Sequence, residues 1–328
     1  MKRCLITGAQ GFLGRHLVSR LLDAAPGAQI LGLGRSLQSA QGRWEEGRAR
    51  YRQIDLLDTE ALTREIRAFA PDCIFHLAAA HGTATERELF ATNLEGTSSL
   101  LRAAEALPEA VIVLGSSGGV YGAPLALPIA ESQPCNPIDL YGVSKLAAEH
   151  LARVKAGQSG AFVIAARIFN VVGPGQPQSH VCGRLAAQLA RLARAGGGTL
   201  EVGALEPTRD FLDVRDVASA LLLLAERGDR GGIYNVASGR EVSIEHALGE
   251  LLRISGLSGE VRLVRQAGRP AGVLRHVADV TRLARLGFSP AISFERSLLD
   301  LYRSCQEDGE AGGGDDLVSG KETQAPAR

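Results

Sequence analysis

The sequence predicts an α/β fold, a doubly wound parallel sheet with helices on both faces and a smaller C-terminal lobe. Three observations point there. Short strand-like runs near 4–6, 29–33, 51–54, 73–77 and 111–114 alternate with stretches whose apolar residues recur at helical spacing, the rhythm of βα units in a parallel sheet. The first run leads at once into a glycine-rich turn and then into Leu13, Leu17, Val18, Leu21 and Leu22, so the glycines lie between a strand and a helix. The polar motifs that follow fall at the carboxyl ends of runs or on the next helix, where open α/β sheets bind ligands.

The turn reads Thr7-Gly8-Ala9-Gln10-Gly11-Phe12-Leu13-Gly14. Gly8 permits the tight turn, Gly11 lets the backbone approach a pyrophosphate, and Gly14 lets the helix pack closely on the strand. The helix N-terminus presents free N–H groups and a positive dipole end to the phosphates. The second strand, 29–33, ends in Gly34-Arg35-Ser36. NAD-selective sites usually carry an acid here for the ribose hydroxyl. Gly34 removes that carboxylate, and Arg35 with Ser36 can hold a 2′-phosphate by charge-assisted hydrogen bonds. This favours NADP(H) over NAD; a solvated loop arginine is the alternative.

Residues 36–50 read as a surface connection. A third strand ends at Asp55-Leu56, with Asp55 placed to bond an adenine amine, and a helix over 58–69 stops at Pro71. The fourth strand ends in Leu77-Ala78-Ala79-Ala80-His81, whose small residues let a flat cofactor lie against the backbone. His81 is a candidate substrate contact, with a plain loop histidine as the alternative. A helix holding Asn93, Leu100 and Leu101 leads to the fifth strand, which delivers Ser116-Ser117-Gly118-Gly119-Val120-Tyr121-Gly122.

Tyr141 and Lys145 follow, four residues apart on a helix and so on one face. An ordinary phenol titrates near ~10. A neighbouring ammonium favours the phenolate and is expected to lower that value. The pair can then exchange a proton with a sugar or alcohol oxygen as a general acid or base. Alone the spacing is commonplace; the glycine turn and the Ser-rich strand end give it weight.

The bulk numbers set limits. The chain has 328 residues and an apolar fraction of 45%, enough for one large domain or two joined ones. Lys+Arg and Asp+Glu are both 36, which gives no electrostatic reason to expect nucleic acid or an anionic membrane. The five cysteines, at 4, 73, 135, 182 and 305, show no zinc spacing and suit a reducing compartment. The apolar run at the N-terminus is too short for a signal peptide, and no run approaches the ~20 residues of a membrane span. A cytoplasmic protein without a metal is expected.

These residues together resemble the extended short-chain dehydrogenase/reductase family that acts on nucleotide sugars. The resemblance covers roughly 1–305. It rests on the glycine turn, Asp55-Leu56, His76-Leu77-Ala78-Ala79, Ser116-Ser117 before Val120-Tyr121-Gly122, and Tyr141 to Lys145. It continues in Ala166-Arg167-Ile168-Phe169-Asn170 and in Arg209-Asp210-Phe211 with Val214 and Asp216. It implies a Rossmann domain over 1–170 with a return segment at 206–240. A substrate lobe at 171–205 and 241–305 is implied beside it. In this resemblance Tyr141 is the proton donor or acceptor, Lys145 holds the nicotinamide ribose, and Ser117 bonds the reacting sugar oxygen. The dehydratases of the family resemble Thr-Asp-Glu where this chain has Ser117-Gly118-Gly119, so elimination chemistry of that pattern is not expected. A 4-keto reductase with exchangeable NADPH is favoured over a 4-epimerase with bound NAD.

Phe169-Asn170-Val171-Val172-Gly173-Pro174-Gly175-Gln176 resembles the segment found in GDP-4-keto-6-deoxy-D-mannose reductases and GDP-mannose 4,6-dehydratases. By that resemblance Asn170 and Arg209 contact the substrate diphosphate or ribose, and Arg269 of Arg269-Pro270 grips the diphosphate. The departure at Ala80-His81-Gly82 falls on the sugar-facing loop. The family often dimerises, here through helices around 86–106 and 141–155. In the second half, Asp216 is expected to cap a helix over 217–224, Ser243 to cap the helix carrying Leu248, Leu251 and Leu252, and 294–301 to form a last helix. Residues 306–328, rich in Gly and Asp, are expected to be disordered.

Overall fold

A computed structural model of the chain describes residues 1–37, 43–265 and 272–311, the last four as backbone only. The first half runs β1 (Arg3–Thr7), α1 (Phe12–Ala24), β2 (Gln29–Gly34), β3 (Ala49–Gln53), α2 (Thr59–Phe69), β4 (Cys73–His76), α3 (Glu86–Phe90), α4 (Gly96–Ala104), β5 (Val111–Ser117), α5 (Leu140–Ser159) and β6 (Phe162–Ile168). The second half adds β7 (Asn170–Val172), α6 (Val181–Ala195), β8 (Gly198–Val202), β9 (Thr208–Asp213), α7 (Val214–Arg227), β10 (Ile233–Val236), β11 (Glu241–Ser243), α8 (Ile244–Ser255), β12 (Val261–Arg265), β13 (Arg275–His276), α9 (Thr281–Arg285) and α10 (Phe294–Ala311).

Seven strands make one parallel sheet in the order β10-β6-β5-β4-β1-β2-β3. The chain winds outward from β1 to β3, returns to place β4 beside β1, and winds the other way. The order reverses between β1 and β4, so the crevice outside their carboxyl ends is the place for a ligand. These central strands are buried on both faces: Cys4, Leu5, Ile6, Cys73, Ile74 and Phe75 have no exposed surface, as the near-continuous apolar runs require. On one face Leu17 and Leu21 of α1 and Val217 and Leu221 of α7 pack with Ile6, Phe75 and Val113. On the other, Leu62, Ile66 and Leu100 pack with Leu5, Leu31 and Ile74. Each fully buried leucine contributes about 1.5–3 kcal/mol.

A second core gathers Leu185 and Leu189 of α6, Leu248 and Leu251 of α8, and Leu298 and Leu301 of α10. Its strands form a four-stranded sheet, with β9 between β11 and β13 and also paired to β7, and a β8–β12 ribbon. β9 lies in the segment expected to return to the large sheet, yet it pairs in the small one; α7 and β10 make the return.

Several boundaries differ from expectation. β3 stops at Gln53, because Asp55 turns back to accept from the Leu57 N–H at 3.0 Å. The helix holding Asn93 is broken by a π turn over Ala91–Glu95. The cap of α7 is Asp213, whose extended backbone lets its carboxylate accept from Arg215 N, and not Asp216. Asp216 lies in the first turn of the helix and accepts from Ala291 N and Ile292 N instead. Ser243 does cap α8, accepting from His246 N. α10 extends to Ala311, so 306–311 is helical where disorder was expected; 312–328 lies outside the described residues. Among the described residues no helix is long and apolar enough to cross a membrane.

Candidate active site

β1 delivers the glycine turn to the crevice. Gly8 has φ of 69°, and a Cβ on it would lie 2.8 Å from Cα of Ala78, so both backbone and space demand glycine. A Cβ at Gly14 would lie 2.1 Å from the Gly8 carbonyl oxygen; α1 can pack this close only without it. Gly11 caps α1 with extended backbone and no side-chain bond, and the first turn of the helix carries no acid. The leading N–H groups of α1 therefore face the crevice unshielded, the arrangement that binds an anion.

A cavity of about 1250 Å³ starts here. The expected residues of the glycine turn line it, as do Arg35 and Ser36, Asp55 and Leu56, and Leu77, Ala78 and Ala79. Arg35 and Ser36 are exposed at its rim. Their carbonyls are pinned by Gln53 Nε2 and by the Tyr51 hydroxyl, each donating at 2.8 Å, which fixes the backbone and leaves the side chains open. Ser117, Tyr141 and Lys145 line the same cavity, at the ends of β5 and α5. An extended dinucleotide fits these residues: the leading N–H groups of α1, the small residues Ala78 and Ala79 after β4, and a buried ammonium beyond.

A buried polar chain ties the turn to α5. The Thr97 hydroxyl donates to the Asn93 carbonyl at 2.6 Å, so it accepts from Nε2 of His76 at 2.9 Å. That sets the His76 tautomer: Nδ1 accepts from the Thr7 hydroxyl at 2.7 Å. Burial, and then the charge of Lys145, push His76 down to about 3, so the ring is neutral. Asn93 grips Ala80 through its N–H at 2.7 Å and its carbonyl at 3.0 Å. Its amide also donates to Ser144 Oγ at 2.8 Å, and that hydroxyl donates to the Tyr141 carbonyl at 2.7 Å. Asn93 was seen in the sequence only as part of a helix; a buried amide inside an apolar helical stretch was the available signal.

α5 starts where Asp139 accepts from Gly142 N at 2.7 Å, which sets Tyr141 in the first turn and Lys145 in the second. Ser117 caps the short turn Gly118–Tyr121, its Oγ accepting from Gly119 N at 3.0 Å. The expected lowering of the phenol is not found. Burial pushes Tyr141 up to about 12, the Asp139 carboxylate adds to the rise, and only the bond to Ser117 opposes it. Lys145, 5% exposed, is lowered to about 8 by burial, with Glu149 opposing. At neutral pH Tyr141 is therefore a phenol, not a phenolate, and Lys145 an ammonium.

Asn170 and Arg209 line the far end of the cavity. Arg209 is half-buried, with Nη1 donating to the Thr208 carbonyl at 2.7 Å. His276 faces Arg209 across the β13–β9 register and packs on Phe169 with centroids 4.8 Å apart. A Cβ at Gly118 would come within 3.0 Å of Phe169 and 3.1 Å of His276, so these rings fill the space a side chain at 118 would need. His81 sits edge-on to Tyr141 at 6.5 Å and 5.8 Å from His180 of the α6 cap. Neither His180 nor His276 stood out in the sequence; the fold brings them in from the second lobe. Arg269 lies outside the described residues.

Residues 4–237 match the model of the NAD dependent epimerase/dehydratase family. The chain is 35% identical over 314 residues to GDP-6-deoxy-D-mannose reductase of Pseudomonas aeruginosa, covering 90% of this chain and 95% of that one. A solved structure of RMD from Pseudomonas aeruginosa complexed with NADPH superposes with a TM-score of 0.80 at 34% identity, over 94% of this chain and all of that one. The UDP-glucose 4-epimerase of Thermus thermophilus, solved with NAD, gives 0.81 at 28% identity, over 93% and 99%. The chain belongs to the NAD dependent epimerase/dehydratase family, the extended short-chain dehydrogenases/reductases, as a nucleotide-sugar oxidoreductase/epimerase.

Proposed function

We propose that this chain reduces the 4-keto group of a nucleotide-activated 4-keto-6-deoxyhexose, GDP-linked, with NADPH. The observation that carries the reading is the meeting of Ser117, Tyr141 and Lys145 with the glycine turn in one cavity. The nicotinamide supplies the hydride when bound. The chain's own residues do the rest. Ser117 and Tyr141 bind and polarise the carbonyl oxygen, and Tyr141 releases its proton to that oxygen as negative charge develops there. Lys145 holds the ribose. A phenol that is protonated at neutral pH has a proton to give to the carbonyl oxygen. An epimerase must also draw a proton off a sugar hydroxyl.

Open Arg35 and Ser36 at the end of β2 support NADPH over NADH. Space at Gly118 already filled by Phe169 and His276 argues against an acid there, and so against dehydration. Asn170, Arg209 and Arg269 are proposed to hold the diphosphate, and His81 the sugar edge. The likeness to the reductase, over nearly the full length of both chains, supports the GDP-linked sugar. The likeness to the 4-epimerase supports an NAD-dependent epimerase as the second reading. Exposed Val143 and Val154 on α5 support a homodimer.

The test is a cofactor-consumption assay over a panel of keto-sugar nucleotides, with NADH and NADPH compared. The expected result is NADPH oxidation with a GDP-linked 4-keto-6-deoxyhexose. Interconversion of two sugars with no net cofactor use would replace the reductase by the epimerase.

A further inference from the structure

Lys145 is buried, and Glu149, four residues on, lies on the same face of α5. Glu149 is itself 8% exposed. Its carboxylate is held from two strands. From β5 it accepts the Ser116 hydroxyl, next to Ser117. From β6 it accepts Arg167 Nε at 3.1 Å and Nη2 at 2.8 Å, in a bidentate grip. Arg167 is fixed in turn, Nη1 donating to the Glu131 carbonyl at 3.3 Å, with its guanidinium 4.8 Å over the Tyr121 ring. An ion pair this deep gives back little net stability over apolar residues of the same volume. Something other than packing is therefore a reason to keep it.

We propose that Glu149 is a positioning residue for the active site: a buried countercharge, locked by Ser116 and Arg167, that keeps Lys145 cationic in the cavity it shares with Tyr141. The role of Lys145 rests on the function proposed above; the charge relation between Lys145 and Glu149 does not. The groups around Lys145 make Glu149 the one that favours the ammonium. On β4, His76 is neutral and pinned between Thr7 and Thr97. On β5, Ser116 and Ser117 carry no charge. On α5, Tyr141 is a protonated phenol. On β6, Arg167 is a cation and works against it. Burial disfavours the ammonium and Glu149 opposes that loss.

The test needs no substrate. The lysines of the chain are Lys2, Lys145, Lys155 and Lys321, so lysine labelled with carbon-13 at Cε gives a spectrum simple enough to follow each titration. In the full chain Lys145 is expected to titrate below the ordinary lysine range, at about 8. In Glu149→Gln, which keeps the hydrogen-bonding shape and loses the charge, its midpoint falls by about one unit or more. In Glu149→Asp it returns toward the parent. Should Glu149→Gln fold poorly with Arg167 left uncompensated, Arg167→Gln removes the opposing cation while Glu149 stays charged, and its Lys145 midpoint rises instead. A Lys145 midpoint unchanged in both variants overturns the proposal, since loss of a purely structural contact leaves it in place. With keto-sugar turnover established, the alkaline fall of kcat moves down by the same interval. If the wild type turns over no keto-sugar, the function reading fails and the lysine titration still decides this one.

Discussion

The amide of Asn93 donates to Ser144 Oγ across 2.8 Å, and through it to the carbonyl of Tyr141. The same amide and its oxygen close on Ala80. One side chain, on a π turn, thus fixes the loop after β4 to the first turn of α5. The π turn supplies the extra residue that aims it inward.

Replacing Asn93 by Leu removes these bonds and leaves the N–H and the carbonyl of Ala80 buried without them. Stability is expected to fall by about 1–3 kcal/mol for each orphaned group. Turnover falls as well, while the KM for NADPH stays within a few-fold. A thermal melt alongside steady-state kinetics checks both; an unchanged melting temperature contradicts the assignment.

Acid sensitivity follows from two histidines. His76 is lowered to about 3 and His276 to about 4, both chiefly by burial. An unfolded histidine takes up a proton near ~6.5, so below that pH the unfolded chain binds more protons than the folded one. Stability therefore rises with pH across this window, and it is lost progressively as pH falls from about 6.5 toward 4. Melting at pH 7 and at pH 5 is expected to show a clear drop at pH 5. A flat profile would mean that these rings are not buried neutral.

Gly118 tests the shape of the sugar end. In Gly118→Asp the side chain must displace Phe169 or His276. Substrate KM is expected to rise at least about tenfold, roughly 1.4 kcal/mol, with no dehydration product. A gain of dehydratase activity would show that the space is not set by these rings.

Arg35→Ala is expected to reduce affinity for NADPH about tenfold or more and to leave NADH binding nearly unchanged, since only the 2′-phosphate needs the cation. Equal losses for both cofactors would place Arg35 elsewhere in the site.

Much of this was legible in the sequence because it depended on local pattern. The glycine turn is dictated by backbone room at Gly8 and Gly14, and no other residue type meets it. The apolar runs of β1 and β4 announce strands covered on both faces. What was not legible depended on long-range neighbours. The rise of Tyr141 comes from burial and from its own cap, Asp139, which the spacing to Lys145 does not reveal. His276 reaches the cavity because β13 pairs with β9, a pairing between segments more than sixty residues apart. Asp213 and Asp216 are both good caps by composition; the turn at 291–292 that binds Asp216 decides between them.

The most direct measurement of the central claim is NADPH oxidation by Tyr141→Phe, with a GDP-linked 4-keto-6-deoxyhexose as substrate and NADPH affinity measured in parallel. The expected result is affinity within a few-fold of the parent and a rate lower by about 10²–10⁴-fold. A rate within a few-fold of the parent would contradict it, because the ketone oxygen would then be taking its proton from some other group.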